Sequence, residues 1–158
     1  MEMNLDAIER RYEMIPGAVK DVVEDVFGVK YSKDWRKLVD AKAYTDKYYE
    51  IDDRVEIICN DAFKNCDGLE EIVMPKNLKR IGSEAFSGCS RLSALKLPEG
   101  VVEIGWQAFN RCFKLCDLEI PESVRIMEYS ALNGVRYSPK NRFHIIKRFG
   151  RDCLMADY

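Results

Sequence analysis

The chain has 158 residues, a formal net charge of −2, and 47% apolar and 33% charged residues. This composition is typical of one globular domain and far from that of disordered or membrane proteins. Near-neutral charge argues against nucleic acid as the main partner, because binding phosphates needs a broad cationic surface. No run approaches the roughly 18 apolar residues of a membrane span, and no signal peptide is seen. The sequence as given therefore predicts a cytoplasmic protein, or a cell-surface or secreted one if a leader has been removed.

The first 46 residues predict a helical N-terminal cap. Asn4 can cap a helix that runs to Met14. A second amphipathic segment ends at Gly28, and Ser32 can cap a third helix that carries Trp35. A cap is expected because a stack of repeats exposes apolar core and an unpaired strand edge at its end.

A repeat of 23 residues follows. The motif Ala-Phe-x-x-Cys begins at Ala62, Ala85 and Ala108, and Ala131-Leu132 follows at the same interval. A fixed period of this length predicts a solenoid, in which stacking stabilises turns that could not fold alone. The register begins near Lys47 and ends near residue 135, which gives about four turns.

Each turn reads as a strand, a proline and a second apolar pair. In the clearest copy, Leu95 and Leu97 alternate with polar residues, so both should point inward. Gly82 and Gly105 follow the second apolar pair and predict a tight corner. The inward positions of the neighbouring strands are Ile72, Met74, Leu118 and Ile120. The second apolar pairs are Leu78 and Ile81, Val101 and Ile104, and Val124 and Met127.

Three of the six cysteines share one position of the repeat. Cys66, Cys89 and Cys112 should point the same way down a column, which suits buried thiols better than disulfides. No C-x-x-C pair or Cys/His cluster occurs, so we predict no metal site.

Residues 136–158 predict a short C-terminal cap. Residues 143–146, Phe-His-Ile-Ile, favour a terminal strand displaced from the register of the repeat. Such an edge could pair with a second copy of the chain and form a weak homo-oligomer, which is the alternative function. Five of the six basic residues of this tail could contact nucleic acid, although a solvated cap is favoured: Lys140, Arg142, Lys147, Arg148 and Arg151.

The string I-G-x-x-A-F-x-x-C-x-x-L-x-x-L-x-L-P runs from Ile81 to Pro98 and, with one conservative change, from Ile104 to Pro121. It resembles the BspA-like leucine-rich repeats over residues 47–135. The resemblance implies an α/β solenoid: a short, curved, right-handed coil with a parallel sheet on one face. It also implies binding to another protein. The helical N-terminal cap (residues 1–46) and the short C-terminal cap (residues 136–158) lie outside the resemblance.

No set of reactive residues converges in the sequence. His144 is the only histidine, and no serine, aspartate or cysteine pattern of a nucleophilic site accompanies it. No phosphate-binding loop or nucleotide fingerprint occurs. We therefore predict no catalytic residues, no cofactor and no enzyme, and instead a protein-protein interaction module whose partner the sequence does not identify.

Two surfaces are candidates for that partner. The outward positions of successive strands are acidic around one lysine, and on a concave solenoid face they could bind an elongated basic or mixed-charge segment. They are Tyr48, Glu50, Glu71, Val73, Lys96, Asp117 and Glu119. The second candidate is an aromatic patch of Trp106, Phe113 and Tyr129, at positions that other turns leave polar. The terminal segments could instead fold back and cover this patch.

Overall fold

A computed structural model describes residues 5–156 of the chain. The predicted helix cap Asn4 lies outside these residues. Two helices, α1 (Leu5–Tyr12) and α2 (Pro139–Phe149), stand near the two ends. Two short 3₁₀ helices span Pro16–Ala18 and Asp152–Leu154. The strands are β1 (Val22–Glu24), β2 (Lys30–Ser32), β3 (Lys37–Asp40), β4 (Tyr48–Glu50), β5 (Ile57–Ile58), β6 (Glu71–Val73), β7 (Arg80–Ile81), β8 (Ala94–Leu95), β9 (Glu103–Ile104) and β10 (Ile126–Met127).

The strands form two sheets that face each other across the coil. The short sheet has the order β4-β6-β8 and is parallel, with Tyr48 opposite Glu71 and Glu71 opposite Ala94. This confirms the predicted parallel sheet. The long sheet has the order β1-β2-β3-β5-β7-β9-β10 and is parallel from β3 onward. The second apolar pairs thus lie in or beside a sheet of their own.

The core is continuous from the N-terminal strands to the C-terminal 3₁₀ helix. The repeat stacks Phe63, Phe86 and Phe109 with ring centroids 5.1 and 5.3 Å apart and nearly parallel planes. All three rings are fully buried. Because burying one such side chain contributes about 1.5–3 kcal/mol, the ladder stabilises every turn through its neighbours. The division of the chain at residues 47 and 135 stays a prediction.

The corners of the coil are made by left-handed residues and not by the glycines that the sequence suggested. One corner position recurs with φ between 51° and 60°, at Asp61, Glu84, Gln107 and Ser130. Gly82 and Gly105 serve close stacking instead. A Cβ on Gly82 would lie 2.5 Å from the Asn60 nitrogen, and one on Gly105 would lie 2.7 Å from the Ser83 nitrogen. Neighbouring turns therefore approach too closely there for any side chain.

The second and third helices predicted for the N-terminal segment are wrong, because this part of the chain forms β1, β2 and β3. β1 and β2 form an antiparallel hairpin, and β3 continues the long sheet in parallel with β5. The exposed edge of a sheet is a template for further strands, and here it recruits the cap. Tertiary pairing has overridden a local pattern that suited a helix equally well.

The terminal strand predicted for residues 143–146 is also wrong, because these residues lie within α2. Pro139 occupies the first turn and Gly150 ends the helix with φ +85°, and both residues favour these positions. The register of the coil nevertheless continues past the helix. The Ser130 nitrogen donates to the Asp152 oxygen, just as the Gln107 nitrogen donates to the Tyr129 oxygen one turn earlier. The two bonds join residues at the same separation along the chain. The last turn therefore keeps its corner and replaces its strands with α2.

α2 closes the C-terminal end of the stack. Its Arg148 guanidinium donates to the backbone oxygens of Ile120 and Pro121, at 2.8 and 2.5 Å. Ile145 on the same helix is buried against the core. The carbonyls that a further turn would use are thus partly satisfied by one side chain.

Candidate functional site

The short sheet presents the predicted concave residues to solvent. In β4 and β6 the central residues Tyr49 and Ile72 are buried, while the residues on either side of each are exposed. This alternation follows from the two-residue period of a strand. We call the outward set the strand face: Tyr48, Glu50, Glu71, Val73, Ala94, Lys96 and Glu119, all exposed. The structure places every predicted residue of this set on the surface.

The register of the sheet orders these side chains into rows. Glu50 lies opposite Val73, and Tyr48 lies opposite Glu71. Further along, Glu71, Lys96 and Glu119 line one groove of about 770 Å³. The strand face is therefore a continuous surface across several turns of the coil.

In the part of the chain that the structure describes, no ion pair neutralises the charges of the strand face. Within residues 5–156, the ion pairs involve none of Glu50, Glu71, Lys96 and Glu119. The only described polar contact among them is a 3.3 Å hydrogen bond from the Tyr48 hydroxyl to Glu50. Unpaired surface charges remain hydrated until a partner of complementary charge arrives.

Asp117, which was predicted to bind the partner, has a structural contact as well. Its carboxylate accepts a 2.8 Å hydrogen bond from the Ser138 nitrogen, just before α2 begins. That bond holds the pKa of the Asp117 carboxyl below its usual range. Asp117 thus fixes the connection between the last turn and α2.

A hairpin tip extends the strand face at its N-terminal end, and sequence reasoning missed it. Val26 and Phe27, between β1 and β2, are 93% and 57% exposed. Together with Glu50 they line a groove of about 710 Å³. The available signal was Asp25-Val26-Phe27-Gly28, an Asp and a Gly around a turn between valine-rich stretches.

The hairpin tip is held in place by hydrogen bonds. The Asp25 carboxylate accepts bonds from the backbone nitrogens of Phe27 and Val29, at 2.8 and 2.9 Å. Its second oxygen accepts a 2.5 Å bond from the Tyr49 hydroxyl on β4, which also meets the Tyr31 hydroxyl. Burial raises the pKa of Tyr31 to about 12 and raises the pKa of Tyr49 further. Both hydroxyls therefore stay protonated and keep the hairpin joined to the short sheet.

The structure separates the predicted aromatic patch into two places. Trp106 and Tyr129 line one groove of about 550 Å³ together with Met14 and Ile15 of the N-terminal segment. No ring contact joins Trp106 to Tyr129 in the described part of the chain, so the two side chains do not stack. Phe113 lies outside this groove, beside Gly134.

Both terminal segments approach this aromatic groove. The Tyr129 hydroxyl donates to the Ala156 oxygen at 3.4 Å, and the Asn60 nitrogen donates to the Met14 oxygen. Trp106 and Tyr129 nevertheless remain 37% and 39% exposed. The groove is partly covered rather than sealed.

Ion pairs hold α1 and the residues after it against the long sheet. Arg10 lies 2.9 Å from the carboxylate of Glu103, and Arg11 lies 3.2 Å from that of Glu128. The Arg10 and Glu103 atoms meet without hydrogen-bond geometry, so their contact is electrostatic. Glu103 is only 1% exposed, and burial raises the pKa of its carboxyl despite the opposing charge of Arg10.

The three repeated cysteines form the predicted column. The Cys66, Cys89 and Cys112 thiols each contact a backbone oxygen, at 3.4, 3.1 and 3.1 Å. Burial raises the pKa of Cys66 to about 11 and that of Cys112 to about 12. These groups are packing elements with no thiolate available for chemistry.

A smaller cleft separates the strand face from α2. Glu119, Asn141 and His144 line it, with a volume of about 370 Å³. Among residues 5–156, no cluster of three or more His, Cys, Asp or Glu side chains could hold a metal ion. Over the same stretch, neither helix is long and apolar enough to cross a bilayer. The cellular location stays a prediction.

Comparisons with known proteins agree with the architecture. The pneumococcal vaccine antigen PcpA is 25% identical with a TM-score of 0.67, covering 70% of this chain and 28% of PcpA. A leucine-rich repeat protein from Bacteroides capillosus ATCC 29799 is 24% identical with a TM-score of 0.61, covering 75% and 99%. The T. pallidum Leucine Rich Repeat protein is 20% identical with a TM-score of 0.58, covering 74% and 66%.

The chain spans less than two thirds of the length of both PcpA and the T. pallidum protein. No curated protein matches it. A family model described as the BspA type leucine rich repeat region matches residues 44–154 in six copies, which is well over half of the chain. The match reaches the 3₁₀ helix at Asp152–Leu154, where the hydrogen-bond register of the coil also ends. The chain therefore belongs to the BspA-type leucine-rich repeat proteins.

Proposed function

We propose that this chain is a non-catalytic module that binds another protein through its strand face. Leucine-rich repeat proteins commonly mediate such contacts, and the coil supplies a rigid surface for one. The observation that carries the proposal is a set of exposed charges on successive turns that form no ion pair within residues 5–156: Glu50, Glu71, Lys96 and Glu119. They do not form a single row, because Val73 and not Glu71 lies opposite Glu50. A partner that crosses several turns can use this succession of charges.

The aromatic groove is a second candidate surface. Trp106 and Tyr129 keep more than a third of their area exposed although both terminal segments lie nearby. Aromatic side chains of this kind often anchor an interface. The groove is ranked below the strand face because contacts within the chain already engage Tyr129 and Glu128.

Pairing through a terminal strand is not proposed, because residues 143–146 are helical. The hypothesis that the basic tail contacts nucleic acid is also weakened, because one of its cations already has partners within the chain. Arg148 is engaged by the backbone oxygens of Ile120 and Pro121 and lies over the Phe149 ring.

The test is quantitative capture of proteins from a lysate of the source organism by immobilised variants. The strand-face variant carries Glu71→Lys and Glu119→Lys. A matched control carries Asp6→Lys and Glu9→Lys, which make the same charge change at exposed positions of α1. A third variant carries Trp106→Ala and Tyr129→Ala.

We expect at least one protein to be captured by the wild type and the control but lost from the strand-face variant. Loss only from the Trp106/Tyr129 variant would transfer the function to the aromatic groove. Equal recovery by all four proteins would refute both surfaces. Thermal melts of each variant establish that any loss reflects the surface and not unfolding.

A further inference from the structure

We propose that the strand face and the hairpin tip together bind an extended peptide whose charges alternate as basic, acidic, basic at every second residue, with an apolar residue two positions beyond one end. This inference rests on the proposed function and specifies the chemistry of its partner. The hairpin tip, formed by Val26 and Phe27, lies outside residues 44–154, so the family match says nothing of it.

The order of charges along the surface supplies the first argument. Crossing the turns from the hairpin, a partner meets Glu50 and Glu71 on β4 and β6, then Lys96, and then Glu119. Two negative regions thus enclose one positive group. Because none of these four residues has an ion pair with another residue of the described chain, each is free to select an opposite charge.

Spacing supplies the second argument. Neighbouring strands lie about 4.8 Å apart, so the midpoint of Glu50 and Glu71 lies about 12 Å from Glu119, measured across the turns. An extended peptide rises about 3.3 Å per residue and presents every second side chain to one face, so residues i and i+4 lie about 13 Å apart. A cation at i, an anion at i+2 and a cation at i+4 therefore match the two carboxylate regions and Lys96 between them.

The hairpin tip supplies the apolar end of the site. Val26 is 93% exposed, and together with Phe27 and Glu50 it lines the groove of about 710 Å³ at the N-terminal end of the strand face. A single exposed apolar residue needs no explanation, but this pair adjoins the strand face and is held rigidly. The Asp25 carboxylate fixes the backbone at Phe27 and Val29, and the Phe27 ring packs edge-on against Tyr44 and Tyr49. A preorganised apolar contact costs little ordering entropy when a ligand binds.

Exposed ion pairs each contribute little, so binding should depend on several in register plus the apolar contact. A helix could also span this distance, but its charges would then stand four residues apart, because a helix rises about 1.5 Å per residue. Peptides whose charges stand two residues apart therefore test the extended form.

The experiment measures binding of fluorescent heptapeptides to the full chain by anisotropy at low salt. The matched peptides read Leu-Ser-Lys-Ser-Glu-Ser-Lys and the same residues in reverse order, because either chain direction could fit. The scrambled peptides keep the composition and net charge but move glutamate to the outer position, as Leu-Ser-Glu-Ser-Lys-Ser-Lys and its reverse. We expect one matched peptide to bind about tenfold more tightly than either scrambled peptide.

Protein variants then assign each contact. Lys96→Glu should lower affinity for the matched peptide about tenfold and raise it for a peptide with lysine at the central position. Lys20→Glu makes the same charge change at an exposed site away from the strand face and is the control. Val26→Ser should weaken the leucine peptide but leave a peptide with serine in place of leucine unchanged.

Equal binding of matched and scrambled peptides, or no measurable binding of any, overturns the charge pattern. Equal effects of Lys96→Glu and Lys20→Glu also overturn it, because they reduce the interaction to net charge. The proposed function fails separately, when the strand-face variant captures the same lysate proteins as the wild type. If the strand-face variant lost its lysate partners but matched and scrambled peptides bound equally, the strand face would remain the binding surface. The proposed charge pattern of its partner would be rejected.

Discussion

The two sheets of the coil use their outward charges in opposite ways. On the short sheet, Glu50 and Glu71 are exposed and have no ionic partner in the described chain. On the long sheet, Arg80 pairs with Glu13, and the buried Glu103 pairs with Arg10. The same repeat thus leaves one sheet available to a partner and uses the other to hold the N-terminal segment.

The difference follows from what covers each sheet. A charge removed from water needs a close opposite charge, because desolvation otherwise costs several kcal/mol. α1 brings such charges to the long sheet, where β9 is buried at both of its residues. Nothing in residues 5–156 covers the strand face in this way, so its charges keep their hydration. Four experiments test the comparison, from the largest expected effect to the smallest.

Gly105→Ala should break the stacking of turns beside the long sheet. The new Cβ would lie 2.7 Å from the Ser83 nitrogen and 2.9 Å from the Gly82 carbonyl carbon, and both atoms are backbone. We expect the free energy of unfolding to fall by about 3 kcal/mol, as measured by urea denaturation. Gly17→Ala is the control because a Cβ there meets nothing within 4 Å. It should change stability by less than about 0.5 kcal/mol, and a similar cost for both changes would contradict the stacking argument.

Arg10→Ala should destabilise the protein by roughly 1–3 kcal/mol at pH 7, because it leaves the Glu103 carboxylate buried without its cation. Glu103→Gln should cost less, since it removes the buried charge itself. Glu71→Gln on the strand face should change stability by less than about 0.5 kcal/mol. Comparable losses from Arg10→Ala and Glu71→Gln would remove the distinction between the two sheets.

The cost of Arg10→Ala should also depend on pH. Burial raises the folded pKa of Glu103 above its unfolded value, so the folded state binds the proton more tightly. Its favourable contribution is fully present below the unfolded pKa and is lost as pH rises through the folded pKa. Without Arg10 the folded pKa rises further. Urea denaturation should therefore show a smaller difference between Arg10→Ala and wild type near pH 4 than at pH 7.

The smallest effect is expected from labelling of the cysteine thiols, which alters no contact within the protein. Cys116 is exposed, whereas Cys66, Cys89 and Cys112 are buried. At pH 8, iodoacetamide should label Cys116 in the folded protein and the column only after unfolding, as read by mass spectrometry. Cys116→Ser should abolish labelling of the folded protein. Labelling of a column thiol at the rate of Cys116, or a disulfide among these residues, would contradict the packing of the column.

Much of the coil could be predicted because its determinants are local and repeated. The 23-residue period placed Phe63, Phe86 and Phe109 in one ladder, and strand alternation placed Glu71 and Val73 on the surface. The same logic failed at both ends, where the period stops. There the valines of β1 suited a helix or a strand equally, and residues 143–146 resembled a strand.

By itself, the sequence determined the repeat, the buried columns and the outward positions of the strand face, because each depends on spacing along the chain. Only the tertiary structure decided that β3 pairs with β5, that α2 replaces the strands of the last turn, and that the hairpin tip adjoins Glu50. It also decided that Glu103 and Arg10 meet, although 93 residues separate them. These features depend on which distant segments cover the open edges of the stack, and that choice is made by long-range pairing and burial rather than by local pattern.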